Sequence, residues 1–191
     1  MKATEKDKYL HFVAPFEYII QENFLEGVAF RLLQEKVSEL NWITDSNEYF
    51  VQSVSSSQST IEILEHYLLS PHFDIFYRKD FIEFLSILFS TKLSFCSHTV
   101  FHQIQQGGFN AIHNDVNDFG ALLRLILYIS PINNYEGGKL RLHFSDALNT
   151  IATEYKFQPN SLFGFKISQN SYHSVEKVER GNRICMVVTY S

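Results

Sequence analysis

Between Leu25 and Leu40 the apolar residues recur at helical spacing. Leu25, Val28, Ala29, Leu32, Leu33, Val37 and Leu40 fall on one stripe, as on a helix that buries a single face. Asn23 followed by Glu26 reads as a capping box, each side chain satisfying a first-turn amide that the helix itself leaves free. A short strand-like run, Tyr49-Phe50-Val51, comes next. The Ser-rich stretch after it, residues 52–60, reads as a mobile surface loop. Ser59 and Glu62 open a second helix along Ile61, Leu64 and Leu68. Pro71 interrupts it, and a third helix runs through Ile82 and Leu85 towards Phe89.

From Thr91 onward the period changes. Short β-rich runs alternate with turn residues: L-S-F-C-S-H-T-V-F-H-Q-I, A-L-L-R-L-I-L-Y-I, K-L-R-L-H-F, S-L-F-G-F-K-I, Y-H-S-V-E-K-V and R-I-C-M-V-V-T-Y, with a further strand between Ile151 and Phe157. This spacing predicts an antiparallel sandwich or barrel. The expected architecture is one domain over residues 1–191. Residues 1–90 form a mainly helical support, packed outside the double-sheet jelly roll of residues 91–191. The last strand ends the chain, so no C-terminal lid is expected.

Composition narrows the function. The 191 residues are 45% apolar, with 18 Phe and 10 Tyr, enough for a sizeable core and an aromatic-lined cavity. A net charge of −5 argues against a broad grip on nucleic acid. The start, M-K-A-T-E-K-D-K, is too polar for a signal peptide, and no apolar run reaches membrane-spanning length. Cys96 and Cys185 both sit in apolar segments and read as buried thiols. A soluble protein of the cytoplasm is expected, with no membrane partner; oligomeric state leaves no mark in the sequence.

The candidate chemistry begins at G-G-F-N-A-I-H-N-D, where His113 and Asp115 stand two apart. On a strand end that spacing aims both side chains into one cavity; on a helix it does not. His72-Phe73-Asp74 repeats the pattern in a helical stretch near Pro71, and is set aside for that reason. Downstream, His173 is followed ten residues later by Arg183. Two imidazoles and one carboxylate on a single face leave metal positions open, the facial triad of non-haem iron oxygenases. Arg183, Cys185 and Val187 share a strand face, so the guanidinium would lie in an otherwise apolar slot and need an anionic partner.

These pieces resemble the iron(II)/2-oxoglutarate-dependent dioxygenases, and within them the prolyl-4-hydroxylase-like group. The matching segments are H-N-D at 113–115, L-Y-I-S at 127–130, Y-E-G-G-K-L-R-L at 135–142, S-L-F-G-F at 161–165, and H-S-V-E-K-V with its Arg at 173–183. They run in family order over about the last 90 residues, with weaker similarity reaching upstream into the helices. The resemblance implies a double-stranded β-helix with iron(II) on His113, Asp115 and His173. It implies that Arg183 pairs with the far carboxylate of 2-oxoglutarate and that Tyr128 hydrogen-bonds this cosubstrate. Gly137-Gly138 would form a tight turn into the next strand.

Two positions depart from the family pattern. Ile104 stands where a tyrosine is usual, so one cosubstrate or substrate contact is missing or comes from another group. Arg124 stands where a small Thr is common, on the same face as Tyr128. It could bind a substrate carboxylate, share or replace the role of Arg183, or pair with a nearby acid such as Asp118. His98, His102 and His143 read as edge or supporting residues, not a fourth ligand; His11 and His66 carry no pattern.

The implied activity is hydroxylation of an unactivated C–H by molecular oxygen, with 2-oxoglutarate giving succinate and carbon dioxide and ascorbate as an optional reductant. Halogenases of this kind lack the carboxylate ligand, and Asp115 is present. The expected substrate is an amino-acid residue, peptidyl or free, with proline first by analogy. The alternative is an oxygenase that tailors a small metabolite or peptide natural product. A nucleic-acid demethylase fits the acidic balance poorly. Outside enzymes, the rival is an inactive jelly-roll module that holds a metal such as zinc. The 52–60 stretch would fold over the substrate as a lid.

Overall fold

A computed structural model describes residues 9–68, 74–116 and 120–191. The chain opens with strands β1 (Leu10–Phe12) and β2 (Tyr18–Gln21) and helix α1 (Gly27–Val37). The hairpin β3 (Trp42–Ser46) and β4 (Phe50–Ser55) follows, then helices α2 (Ser57–Leu68) and α3 (Lys79–Leu88). The remaining strands are β5 (Cys96–Gln105), β6 (Phe109–His113), β7 (Leu123–Tyr128), β8 (Tyr135–Gly137), β9 (Leu140–His143), β10 (Ile151–Tyr155), β11 (Leu162–Lys166), β12 (His173–Val175) and β13 (Val178–Tyr190). Pro71 and the His72-Phe73 part of the discarded motif lie outside the described residues, as does Asp118.

The strands pair in the order β1-β2-β11-β7-β13-β5-β4-β6-β12-β9-β10, with β3 on β4 and β8 on β13. This sheet curls on itself. The layer β11-β7-β13-β5 faces the layer β6-β12-β9-β10, and β4 bridges them by pairing with both β5 and β6. The result is the expected jelly roll with helices outside.

Strand alternation builds two cores on opposite faces of the larger layer. Leu123, Leu125 and Leu127 of β7, with Met186 and Val188 of β13, point outward against Ala29, Phe30, Leu33 and Leu85 of the helices. Ile126 and Tyr128, with Cys185 and Val187, point inward against Leu140, Leu142 and Val175 of the second layer. Each fully buried Leu or Phe contributes roughly 1.5–3 kcal/mol. One β7 residue in two therefore anchors the helices, and the next one shapes the cavity.

Three local expectations are corrected. Helix α1 has no capping box: Glu26 occupies the N-cap without a side-chain cap bond, and Asn23 sits at φ 51°. Asn160 instead ties down the two residues that lead into the N-cap. Its carbonyl accepts from Phe24 N at 2.9 Å, its Oδ1 accepts from Leu25 N at 2.9 Å, and its Nδ2 donates to Leu25 O at 2.8 Å. The α1 stripe is also rotated: Phe30 is buried, whereas Val28 and Leu32 are exposed.

Third, residues 52–60 are no loop. They complete β4 and begin α2. Their hydroxyls bond inward: Ser55 Oγ accepts from Phe101 N at 3.0 Å and lies 2.6 Å from Thr60 Oγ1. Ser56 Oγ accepts from Ser59 N at 3.2 Å, a helix cap that starts α2 before Ser59.

Candidate metal and cosubstrate site

Register places the inward side chains of β5, β13 and β7 on four rungs. Ile104 lies beside Arg183, and His102 beside Cys185 and Tyr128. Val100 lies beside Val187 and Ile126, and His98 beside Thr189 and Arg124. The opposite layer supplies His113 at the end of β6 and, directly across the pair, His173 at the start of β12. A register shift between these strands keeps Asn110 and His113 both on the cavity wall. Asp115 follows at φ 62°, a left-handed conformation that Asp tolerates and that turns the chain back towards the two imidazoles.

His113, Asp115 and His173 each offer a ligand atom, all within 4.8 Å of one another. His113 Nε2 is 3.3 Å from Asp115 Oδ1, and His173 Nε2 is 3.5 Å from Oδ2. Both imidazoles are oriented in the same way. His113 Nδ1 lies 2.8 Å from Ala111 O, and His173 Nδ1 lies 2.9 Å from Ser171 O. A carbonyl only accepts, so each Nδ1 carries the proton and each Nε2 turns a lone pair to the common centre.

The electrostatics suit a cation. Burial opposes the charge of Asp115, but His173, His113 and Arg124 outweigh it and hold the carboxyl well below its usual range. Burial, then the neighbouring His113, pushes His173 down to about 4, so it is neutral and ready to ligate. Burial also works against a proton on His113, yet Asp115 more than offsets this and raises its pKa. Arg124 Nη1 approaches Asp115 Oδ2 at 2.8 Å. Of the roles open to Arg124 in the sequence, the structure therefore gives it an acid partner, and that acid is the carboxylate of the triad.

Arg183 lies deeper, 3% exposed. Its Nη2 donates to Tyr128 Oη at 3.2 Å, its Nη1 is 3.8 Å from Cys185 Sγ, and its Nε has no hydrogen-bond partner. No carboxylate among the described residues comes within ion-pair distance of it. Burial raises the pKa of Tyr128 despite Arg183, so its hydroxyl stays protonated. Gly137 and Gly138 turn beside this slot at φ 69° and 64°; a Cβ on Gly137 would meet Lys177 O at 2.2 Å.

A cavity of about 540 Å³ opens beside His113 and Asp115, with Arg124, His98 and His102 also on its walls. Asp45, Tyr49, Phe50 and Gln52 of the β3–β4 hairpin form another wall. Of that hairpin the sequence shows only the second strand, in Tyr49-Phe50-Val51, because Trp42–Ser46 lacks a clear alternation. The alternation of His98, Val100, His102 and Ile104 would have put both histidines inside. His143 is buried elsewhere, with Nε2 2.8 Å from Ser174 Oγ. Cys185 is buried as expected, Cys96 only partly, and both are free thiols.

The model of the 2OG-Fe(II) oxygenase superfamily matches residues 99–190, which contain all three metal-directed side chains and Arg183. Residues 99–190 belong to this superfamily, and family and triad together make the protein an iron(II)/2-oxoglutarate dioxygenase. No curated protein sequence matches it.

The oxygenase shares its fold with solved structures of low identity. A Pseudomonas putida prolyl-4-hydroxylase is 14% identical, with a TM-score of 0.64 and 91% of each chain covered. A Burkholderia pseudomallei oxidoreductase of the 2OG-Fe(II) oxygenase family is 11% identical, with a TM-score of 0.68, covering 91% of this chain and 85% of that one. A Trichoplax adhaerens prolyl hydroxylase, solved with a hypoxia inducible factor peptide fragment, is 15% identical at a TM-score of 0.66, covering 91% and 82%.

The residues fit the group that the superfamily implies. Two Nε2 lone pairs and a carboxylate on one side suit a ferrous ion with open positions. The guanidinium of Arg183, buried without a carboxylate, suits one end of a dicarboxylate. A second hollow of about 540 Å³, between Trp42 and Asn182, holds none of these groups. No helix among the described residues is long and apolar enough to cross a membrane.

Proposed function

We propose that the chain hydroxylates an unactivated C–H of an amino-acid residue, peptidyl or free, with proline the first candidate. The observation that carries this reading is the pairing of an oriented two-histidine, one-carboxylate cluster with a buried arginine that lacks a carboxylate partner and lies on the same strand face as the cavity-lining Val187. In this reading His113, Asp115 and His173 are the metal ligands. Arg183 and Tyr128 take the far carboxylate of 2-oxoglutarate, the guanidinium through paired N–H groups and the phenol as donor. Arg124 steadies Asp115 and is not a second anchor for the cosubstrate. Iron with 2-oxoglutarate supplies the oxidising chemistry, consuming molecular oxygen and releasing succinate and carbon dioxide.

The protein's own part is placement and exclusion of water. Val100, Val187 and Ile126 form an apolar rung between the triad's end of the cavity and the arginine slot. Tyr49, Phe50 and Tyr172 give the outer cavity flat apolar faces on which an aliphatic ring can rest. The prolyl hydroxylases among the structures of like fold favour the same substrate class. Two free thiols fit a reducing compartment such as the cytoplasm.

The test is succinate release from 2-oxoglutarate by iron(II)-loaded protein, with mass spectrometry of proline peptides and free amino acids seeking one added oxygen. His113→Ala should abolish succinate release. Oxidation of a small metabolite but of no peptide would favour the tailoring reading. Absence of succinate in every condition, with zinc co-purifying, would favour a metal-holding interaction module.

A further inference from the structure

His102 stands on the second rung of the larger layer, beside Cys185 on one side and Val54 of β4 on the other. It lines the same cavity as His113 and Asp115. Neither of its ring nitrogens has a hydrogen-bond partner among the described residues. A neutral imidazole carries one donor and one acceptor, so it presents two unmet groups to the cavity. We propose that His102 is a cosubstrate-binding residue, its ring N–H donating to a carboxylate of 2-oxoglutarate lying between the triad and Arg183. The inference rests on the functional reading given above.

The order of the rungs carries the argument. Arg183 occupies the first rung, and the triad touches the fourth through the contact of Asp115 with Arg124. Both arginines reach along the wall through long side chains, and His102 lies within electrostatic range of Arg183, Arg124 and Asp115 alike, so a five-carbon dicarboxylate held between Arg183 and the triad passes beside it. On the third, Val100, Val187 and Ile126 offer no hydrogen bond. On the second, the Tyr128 hydroxyl already accepts from Arg183, and the Cys185 thiol is a weak donor. Among the described residues of these rungs, His102 is the polar group with no other engagement.

The charge pattern agrees. Burial, then Arg124 and Arg183, pushes the pKa of His102 down to about 3, so the ring is neutral and adds no third cation beside two arginines. It can orient a carboxylate without deepening the electrostatic well that product must leave.

The test is calorimetric titration of 2-oxoglutarate into the full chain loaded with Mn(II), which binds without turnover. His102→Leu should weaken 2-oxoglutarate binding roughly 10- to 100-fold, as loss of one hydrogen bond to a charged group implies. Its affinity for Mn(II) should stay unchanged. His102→Asn, which keeps a donor and an acceptor, should recover most of the loss, and it serves as the folded comparison if the leucine variant proves unstable. Wild-type affinity for 2-oxoglutarate in His102→Leu would overturn the inference while leaving the functional reading intact. No binding of 2-oxoglutarate by the wild-type Mn(II) protein would overturn both.

Discussion

Replacing Arg183 by Met should have two effects of opposite sign. In the ligand-free protein the guanidinium is 3% exposed, with one bond to Tyr128, a long contact to Cys185 and an unpartnered Nε. Removing a buried, poorly compensated charge in favour of an apolar chain of similar length stabilises by about 1–4 kcal/mol. The Tyr128 hydroxyl then loses its donor, which costs about 1 kcal/mol. The balance is about 0–3 kcal/mol in favour of the variant. For a chain of this size 1 kcal/mol moves Tm by about 2–4 °C, so the ligand-free variant should melt at the wild-type temperature or up to about 10 °C above it.

The cosubstrate response should collapse at the same time. Truncating one partner of a buried charge pair costs about 2–5 kcal/mol of binding. At a 2-oxoglutarate concentration of about 100 times the wild-type Kd, ligand binding stabilises the wild type by about 2.7 kcal/mol. That is a rise of about 5–11 °C, and the variant should show almost none of it. Thermal melts of the Mn(II)-loaded proteins with and without 2-oxoglutarate read both effects. A variant that melts below the wild type yet keeps the full cosubstrate shift would refute the reasoning, because Arg183 would then be a structural residue.

Further outcomes follow from other contacts. Arg124→Met removes the partner that steadies Asp115 from 2.8 Å, so Mn(II) should bind about 10- to 100-fold more weakly by calorimetry, with Arg124→Lys close to wild type; tighter binding by the Met variant would show that Arg124 acts as a competing cation and not as a support. Acid should destabilise the metal-free protein. His102 and His173 have native pKa values depressed to about 3 and 4, so their stabilisation is present above the unfolded value near 6.5 and is lost as pH falls towards those values. Each costs about 2 kcal/mol by pH 5, and the raised pKa of His113 offsets part of it. Urea melts at pH 7 and 5 should show a net loss that shrinks in His102→Asn. Gly181→Ala places a Cβ 1.9 Å from Asn134 O at φ 78° and should cost several kcal/mol in the same melts, about 3 or more, without changing which metals bind.

How legible the site was in the sequence depended on how local its causes are. His113 with Asp115, and His173 with Arg183, could be found because their separations are short, although Asp115 lies past the end of β6 at a left-handed φ that strand alternation does not describe. The jelly roll was legible in the short β-rich runs that turn residues separate after Thr91, runs that the strands from β5 to β13 follow. What stayed hidden depends on groups far apart in the chain. The residues that lead into α1 are held by Asn160, 135 residues beyond Leu25. Ser55 looks like loop material until Phe101 and Thr60 use its hydroxyl. Arg124 faced the cavity as alternation required, but its pairing with Asp115 depends on the left-handed turn at Asp115, which no periodicity reports.

The two metal-directed histidines are each held by a main-chain oxygen two positions earlier in the same segment. No side-chain exchange can delete that oxygen, so the aim of both rings survives almost any substitution around them. A reactive centre set up in this way tolerates deep turnover of its surroundings: substrate walls, outer helices and even the neighbours of the cosubstrate can be rewritten while the grip on the ion persists. The 11–15% identity to proteins of the same fold is the kind of divergence such self-aimed ligands permit.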